Sequence, residues 1–332
     1  MRPFLYERAT SECAAVQLAA SGAPAQFLAG GTTLIDLMKL DVLRPARLID
    51  INGLAAGAAG LIEEREGALR LGALVDMAQA AEHPVVRRKF PVLADALRQA
   101  ASQQVRNMAS LGGNLLQRTR CPYYRDRSWP ACNRRKPGSG CGALHGQNRG
   151  HAVLGVSDAC IATYPGDLAV ALVALDAVLE IIGADGARTM GAAELHRLPA
   201  DTPHVETNLA PGQLIAAIRV PAGPWTRRSL YLKVRDRESY QFALASAAVA
   251  LDLSDGMVRH ARVGLGGVAT IPWRATAAED QLVGRRLDGE LARATAEAAF
   301  AAARPARHNA FKLGLGKRTL ERALLQAAQM EL

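Results

Sequence analysis

The stretch Ala109-Ser110-Leu111-Gly112-Gly113-Asn114 … Thr163-Tyr164-Pro165-Gly166-Asp167 decides the fold. It encloses Cys121, Cys132, Cys141 and Cys160, four of the five cysteines in the chain. Its first end is a diglycine turn between serine and asparagine, of the kind that brings backbone N–H groups close to a phosphate. Its middle carries Pro122, Pro130, Pro137, Gly138, Gly140 and Gly142 without helical periodicity, so it reads as an irregular loop. The spacing C-x10-C-x8-C-x18-C contains no C-x-x-C, which argues against a zinc ribbon and a thioredoxin motif. Four soft thiolates on a loop able to wrap a metal suit an iron–sulfur cluster. Two disulfides in an exported protein, or inert buried thiols, fit the same residues. Cys13 reads as a packed or free thiol on the first helix. His145 and His151 read as hydrogen-bonding loop residues, because four thiols already complete a site.

Toward the N-terminus lies a small α/β unit. Pro3 to Arg8 reads as a strand, Thr10 or Ser11 caps a helix to Ala20, and Gln26 to Ala29 is a second strand. Gly30-Gly31-Thr32-Thr33 then opens a helix over Leu34–Leu40, followed by strand Arg47–Asp50. A lone Gly-Gly turn is as readily an ordinary strand-to-helix turn. Two of them suit the two phosphates and long body of a dinucleotide. The G-x-G-x-x-G fingerprint is absent, so no Rossmann domain is expected.

Residues 60–108 read as strand Ala68–Gly72 and helices Leu74–Ala81 and Phe90–Ala101, the last with core-facing Val92, Leu93, Ala96, Leu97 and Ala100. After the cysteines come helix Leu168–Ala174, headed by Asp167, and strands Ala177–Ile182 and Leu214–Val220. Asp167 is placed to cap that helix or to hold a ligand hydroxyl. Pro221, Gly223 and Pro224 mark a break. Beyond it lie strands Ser229–Arg235 and Val263–Val268, a helix or strand at Phe242–Leu253, and helices Thr276–Gln281, Leu291–Ala303 and Phe311–Gln329. No βαβ order repeats, so the class is α+β. Lys233, amid apolar strand residues, is either a surface lysine or a cation over a redox cofactor.

A length of 332 residues suggests about two domains, and 49% hydrophobic content excludes disorder. The most apolar run, Leu168–Ile182, is short for a membrane span and contains Asp176 and Glu180. Met1 to Arg8 lacks the features of a signal peptide, so the cytoplasm is the expected compartment, with export alongside a signal-bearing partner left open. The net charge of +9 is scattered among acids, which does not fit nucleic-acid binding. The exception is Arg118, Arg120, Arg125, Arg127, Arg134, Arg135 and Lys136, set against Asp126 alone. This run reads as a solvated loop, as countercharge to a buried anion, or as a docking face for an acidic partner.

Ala29-Gly30-Gly31-Thr32, Ala109–Asn114, the Asp167 segment and Tyr231-x-Lys233-x-Arg235 together resemble the FAD-binding medium subunit of molybdenum hydroxylases, the family of xanthine dehydrogenase, carbon monoxide dehydrogenase and aldehyde oxidoreductases. Gly264 to Ala269 with Pro272 resembles part of its C-terminal domain. Arg118–Tyr123 and Pro137–Cys141 resemble the loop of the periplasmic aldehyde oxidoreductase branch, which carries an extra [4Fe-4S] cluster. 4-Hydroxybenzoyl-CoA reductase has a cluster insertion too.

The resemblance implies a two-part FAD-binding domain of the PCMH, vanillyl-alcohol-oxidase-like type over 1–224, divided at 55/56, with a cluster loop at 118–162. A smaller α+β domain over 225–332 follows. It implies that Gln26, Phe27, Leu28, Ala29, Gly30, Gly31, Thr32, Thr33 and Leu34 hold the FAD diphosphate. Ala109, Ser110, Gly113 and Asn114 make a second contact, with Thr163, Asp167 and Ile215 adding to it. Lys233 would lie near the isoalloxazine and Tyr240 over it, which weighs against NAD as acceptor. Cys121, Cys132, Cys141 and Cys160 would ligate the [4Fe-4S] cluster. No residue of this chain would oxidise substrate. Electrons from an aldehyde oxidised at a molybdenum large subunit would pass through a [2Fe-2S] small subunit to FAD here and on to an external acceptor, in a heterotrimer. The alternatives are the same subunit in a 4-hydroxybenzoyl-CoA-reductase-like or xanthine-dehydrogenase-like enzyme, and a basic zinc- or nucleic-acid-binding protein.

Overall fold

The computed structural model describes residues 1–21 and 24–332, which build three separate sheets. The first is parallel, in the order β1 (Leu5–Arg8), β3 (Arg47–Asp50), β2 (Ala25–Leu28). Parallel neighbours need crossovers, supplied by helices Glu12–Ala20 and Leu34–Lys39. Ser11 caps the first of these by accepting from the Ala14 N–H at 3.1 Å. β3 lies in the middle and is buried throughout.

The second sheet is antiparallel, in the order β4 (Ile62–Arg65), β5 (Ala68–Gly72), β8 (Leu214–Pro221), β6 (Val178–Gly183), β7 (Gly186–Gly191). Between β5 and β6 the chain leaves for about a hundred residues, and the cysteines sit on that excursion. Helix Pro91–Arg98 buries Val92, Leu93, Ala94, Ala96 and Leu97, and every residue of helix Leu168–Ala174 is buried. These two helices form a core between the second sheet and the third. Among the described residues no helix is long and apolar enough to cross a membrane. The apolar run Leu168–Ile182 is divided between this helix and β6.

The third sheet is antiparallel, in the order β12 (Trp273–Arg274), β11 (Met257–Gly266), β10 (Ala245–Ser254), β9 (Ser229–Val234). Helices Thr276–Leu282, Gly289–Ala299 and Phe311–Ala328 cover it and close a second core. The ambiguous Phe242–Leu253 segment is a strand from Ala245, with Phe242 on an exposed loop before it.

Strands β4 and β7 escape the sequence reading because their side chains, Ile-Glu-Glu-Arg and Gly-Ala-Arg-Thr-Met-Gly, are mostly polar. Both are edges, where charge discourages pairing with another chain. The Gly112-Gly113 turn is a correction of another kind. It lies inside a helical turn, Leu111–Leu115, with Ser110 as its cap.

The cysteine segment is irregular apart from single turns at Pro122–Arg125 and Gly142–His145. It is clamped from outside. Asn309 Nδ2 donates to the His151 and Ala152 carbonyls, and Lys312 Nζ to those of Gly150 (3.2 Å) and Gly267 (2.6 Å). Lys312 is fully buried, and burial, with Arg149 nearby, pushes its ammonium down to about 7.

Candidate functional site: a glycine-lined cleft and a four-thiol cavity

A cleft with about 200 Å³ of interior space opens where the first sheet meets the second. Its walls include Gln26, Phe27, Ala29, Gly30, Gly31, Thr32, Thr33, Leu34, Ala109, Ser110, Gly113 and Ile215. Twelve of the residues expected to hold a cofactor thus stand together, although they come from three distant parts of the chain. Among the described residues, no acceptor is found for the backbone N–H groups of Gly30, Gly31, Thr32, Thr33 and Leu34. A run of free donors on a glycine loop is a nest for a phosphate. Gly31 has φ +71°, a conformation that costs glycine nothing.

The second diglycine loop works differently. Its donors are already used: Leu111 N–H goes to Val75 O, Gly112 N–H to Ala73 O and Gly113 N–H to Ser110 Oγ. Its glycines serve close approach rather than anion binding. A Cβ at Gly112 would stand 3.0 Å from Ala73 Cβ, and Gly113 is exposed to the cleft. The loops also touch each other, since a Cβ on Gly30 would fall 1.6 Å from Met108 O. The residues present therefore fit a diphosphate at the first loop and a long nucleotide body along the second.

Leu28, Asn114, Thr163, Asp167, Lys233 and Tyr240 do not line this cleft. The Leu28 carbonyl accepts from Ile51, and Thr163 Oγ1 donates to Gly150 O. Asn114 Nδ2 reaches Met77 Sδ, leaving its buried Oδ1 without a partner. Tyr240 is 58% exposed, with the Arg237 guanidinium 5.6 Å over its ring. Asp167 does not cap its helix. It accepts from Lys233 Nζ at 2.7 Å and from Tyr231 Oη at 2.7 Å, while Lys233 also donates to Gln99 O. Burial raises the Asp167 pKa and lowers that of Lys233, and their pairing opposes both shifts. The pair is a buried tie between the head of helix Leu168–Ala174 and β9. Sequence reasoning missed Leu43, Ile51, Ala73, Leu74, Leu116, Arg118, Gln213 and Leu214 in the cleft. Apart from Arg118 and Gln213, these are apolar residues with no local signal.

A second, much smaller cavity, about 10 Å³, is lined by Cys121, Cys132, Cys141 and Cys160 together with Tyr124 and Arg134. The backbone bridges Cys132 to Cys141 and Ser157 to Cys160. All five cysteines are free thiols, so the disulfide alternative does not hold in this structure. Among the described residues, no group of three or more His, Cys, Asp and Glu is drawn tightly enough to hold a metal ion. A single ion pulls its ligands to one point, whereas a cluster carries its thiolates on separate corners. Two buried polar atoms of the cavity walls, Tyr124 Oη and Arg134 Nε, have no partner. Burial pushes the Cys121 thiol up to about 12. Cys160 is drawn down, first by a hydrogen bond from Cys141 and then by Arg134. Soft donors, one of them beside a cation, fit an iron–sulfur cluster. His151 Nε2 lies 3.2 Å from Cys121 Sγ, and His145 is exposed.

The basic run does not form a free docking face. Arg120 and Arg125 pair with Asp36, Arg127 with Asp41, and Arg118 and Arg134 with Glu206. Arg135 donates to four backbone carbonyls, at Tyr123, Tyr124, Asp126 and Trp129. These cations staple the cysteine loop onto helix Leu34–Lys39 and onto Glu206.

His196 packs beside this region, 4.4 Å from the Tyr164 ring, with Nε2 at 3.0 Å from Leu115 O. Burial lowers its pKa to about 4. The unfolded chain binds that proton near 6.5, so between about 6.5 and 4 the unfolded state holds more protons, and stability falls as pH falls. Urea unfolding should show a loss approaching about 1.4 kcal/mol per pH unit in this window from His196. His196→Gln should show a smaller difference between pH 7 and pH 5.

Residues 2–223 match the FAD binding domain in molybdopterin dehydrogenase, and residues 230–327 match the CO dehydrogenase flavoprotein C-terminal domain. The chain is 48% identical to the aldehyde oxidoreductase FAD-binding subunit PaoB of Escherichia coli (strain K12), over 98% of this chain and 99% of that one. It is 27% identical to the glyceraldehyde dehydrogenase medium chain of Sulfolobus acidocaldarius, over 87% and 84%. A solved carbon monoxide dehydrogenase from Hydrogenophaga pseudoflava superposes with a TM-score of 0.75 at 28% identity, covering 99% of this chain and 98% of that one.

Proposed function

Because the chain belongs to the family of FAD-binding medium subunits of molybdenum hydroxylases, we propose that it is the FAD- and [4Fe-4S]-carrying electron-transfer subunit of an aldehyde oxidoreductase. FAD supplies the chemistry of taking up electrons and releasing them singly or in pairs. The chain's own residues bind and orient it. The free N–H groups of Gly30 to Leu34 hold the diphosphate, and Thr32 and Thr33 add hydroxyls. Ala109 to Gly113 flank the body, and Ile215 gives an apolar wall. Cys121, Cys132, Cys141 and Cys160 would hold the cluster. A molybdenum large subunit would oxidise the aldehyde to a carboxylic acid, and a [2Fe-2S] small subunit would deliver the electrons. The single supporting observation is that four thiols, spread over forty residues of irregular chain, line one buried cavity. The likeness to an aldehyde oxidoreductase subunit supports the substrate class.

The test is the complex purified with its partner subunits. It should be yellow-brown, with flavin bands over a broad iron–sulfur absorption. Cys160→Ser should lower the iron content by about four atoms per chain while FAD stays bound. Equal iron in both preparations would refute the cluster.

A further inference from the structure

Between the cleft and the thiol cavity lies one carboxylate, Glu206, gripped by two arginines. Arg118 reaches it from the cleft, whose wall it forms. Arg134 reaches it from the thiol cavity, with Nη1 at 2.7 Å from Glu206 Oε2. The other branch of the same guanidinium, Nη2, donates to Cys160 Sγ at 3.9 Å. The side chain of Arg134 is 8% exposed, so its charge is poorly screened by water. Among the described residues, no other guanidinium lies within hydrogen-bond reach of the four thiols. Arg118 also stacks over Tyr124, 5.2 Å from the ring centroid, and that ring lines the thiol cavity.

We propose that Arg134, fixed by Glu206, is the positioning cation that raises the reduction potential of the cluster at Cys160. The inference rests on the cluster reading above. Reduction of a [4Fe-4S] centre from the 2+ to the 1+ state adds one electron, supplied by the reduced flavin, and no proton. The added negative charge lands beside a buried cation and a donor to sulfur, both of which favour the reduced state. Glu206 sets the geometry. An unanchored arginine would turn its fork toward water, whereas one arm on the carboxylate holds the other at the thiolate.

The experiment is a redox titration of the assembled complex, followed by the electron paramagnetic resonance signal of the reduced [4Fe-4S] centre. Arg134→Gln should lower the midpoint so that the reduced fraction at a fixed potential falls about tenfold, which is ~59 mV for one electron. The partner's [2Fe-2S] signals should titrate as before. Arg134→Lys keeps the charge but cannot bridge Glu206 and Cys160, and should recover part of the shift. An unchanged midpoint in Arg134→Gln, with the cluster present, overturns the inference and leaves the cluster standing. If Arg134→Gln loads no cluster, Arg134→Lys decides: a downward shift supports the inference and none overturns it. If Cys160→Ser keeps the whole signal, the cluster reading itself fails.

Discussion

Gly30→Ala should empty the flavin site. The added Cβ would stand 1.6 Å from Met108 O, and both groups are backbone, so neither can rotate away. The first loop must part from the second. Overpacking of this kind costs about 1–3 kcal/mol or more. Here the cost falls on the strand-to-helix turn whose N–H groups are free. Flavin retention should drop at least tenfold, since about 1.4 kcal/mol is a factor of ten in affinity. The readout is the ratio of flavin to protein absorbance after gel filtration. Gly53→Ala is the control, because nothing lies within 4 Å of its added Cβ, and it should retain flavin fully. Equal flavin in both variants would refute the assignment of the first loop.

Lys233→Met should be strongly destabilising. It leaves the Asp167 carboxylate buried without its cation, 2.7 Å from where the ammonium stood. Breaking one side of a buried pair costs about 3–5 kcal/mol. At this size that lowers the melting temperature by about 4–7 °C. Asp167→Asn removes the charge from the other side. The double variant should lose less than the sum of the singles, because it leaves no orphaned ion. Glu64→Gln breaks the exposed pair with Lys89 and should cost under about 1 kcal/mol. Additive losses in the double variant would show that the two groups do not support each other.

Three features were legible because their signal is local. A diglycine pair after strand Ala25–Leu28 and before helix Leu34–Lys39 announces a bend with free donors. Cysteine spacing excludes a zinc ribbon without any coordinates. Core helices such as Pro91–Arg98 follow from apolar periodicity. The polar edges β4 and β7 were not legible, since an edge strand has only one partner and little apolar face. The basic run was legible as charge but not as structure, because its partners Asp36, Asp41 and Glu206 lie far away in sequence.

The sequence by itself determined that two diglycine turns and a set of four thiols exist, because backbone freedom at glycine and the softness of sulfur belong to the residue and not to its surroundings. Tertiary structure alone decided which groups face the ligand. Gly112 and Gly113 look like a second phosphate turn, yet their N–H groups are consumed by Ala73 and Ser110. Asp167 and Lys233 look like cofactor contacts, yet they close on each other. A donor or a charge has no role until its competitors for partnership are known, and those of Gly112, Asp167 and Lys233 arrive from residues 39 to 66 positions away.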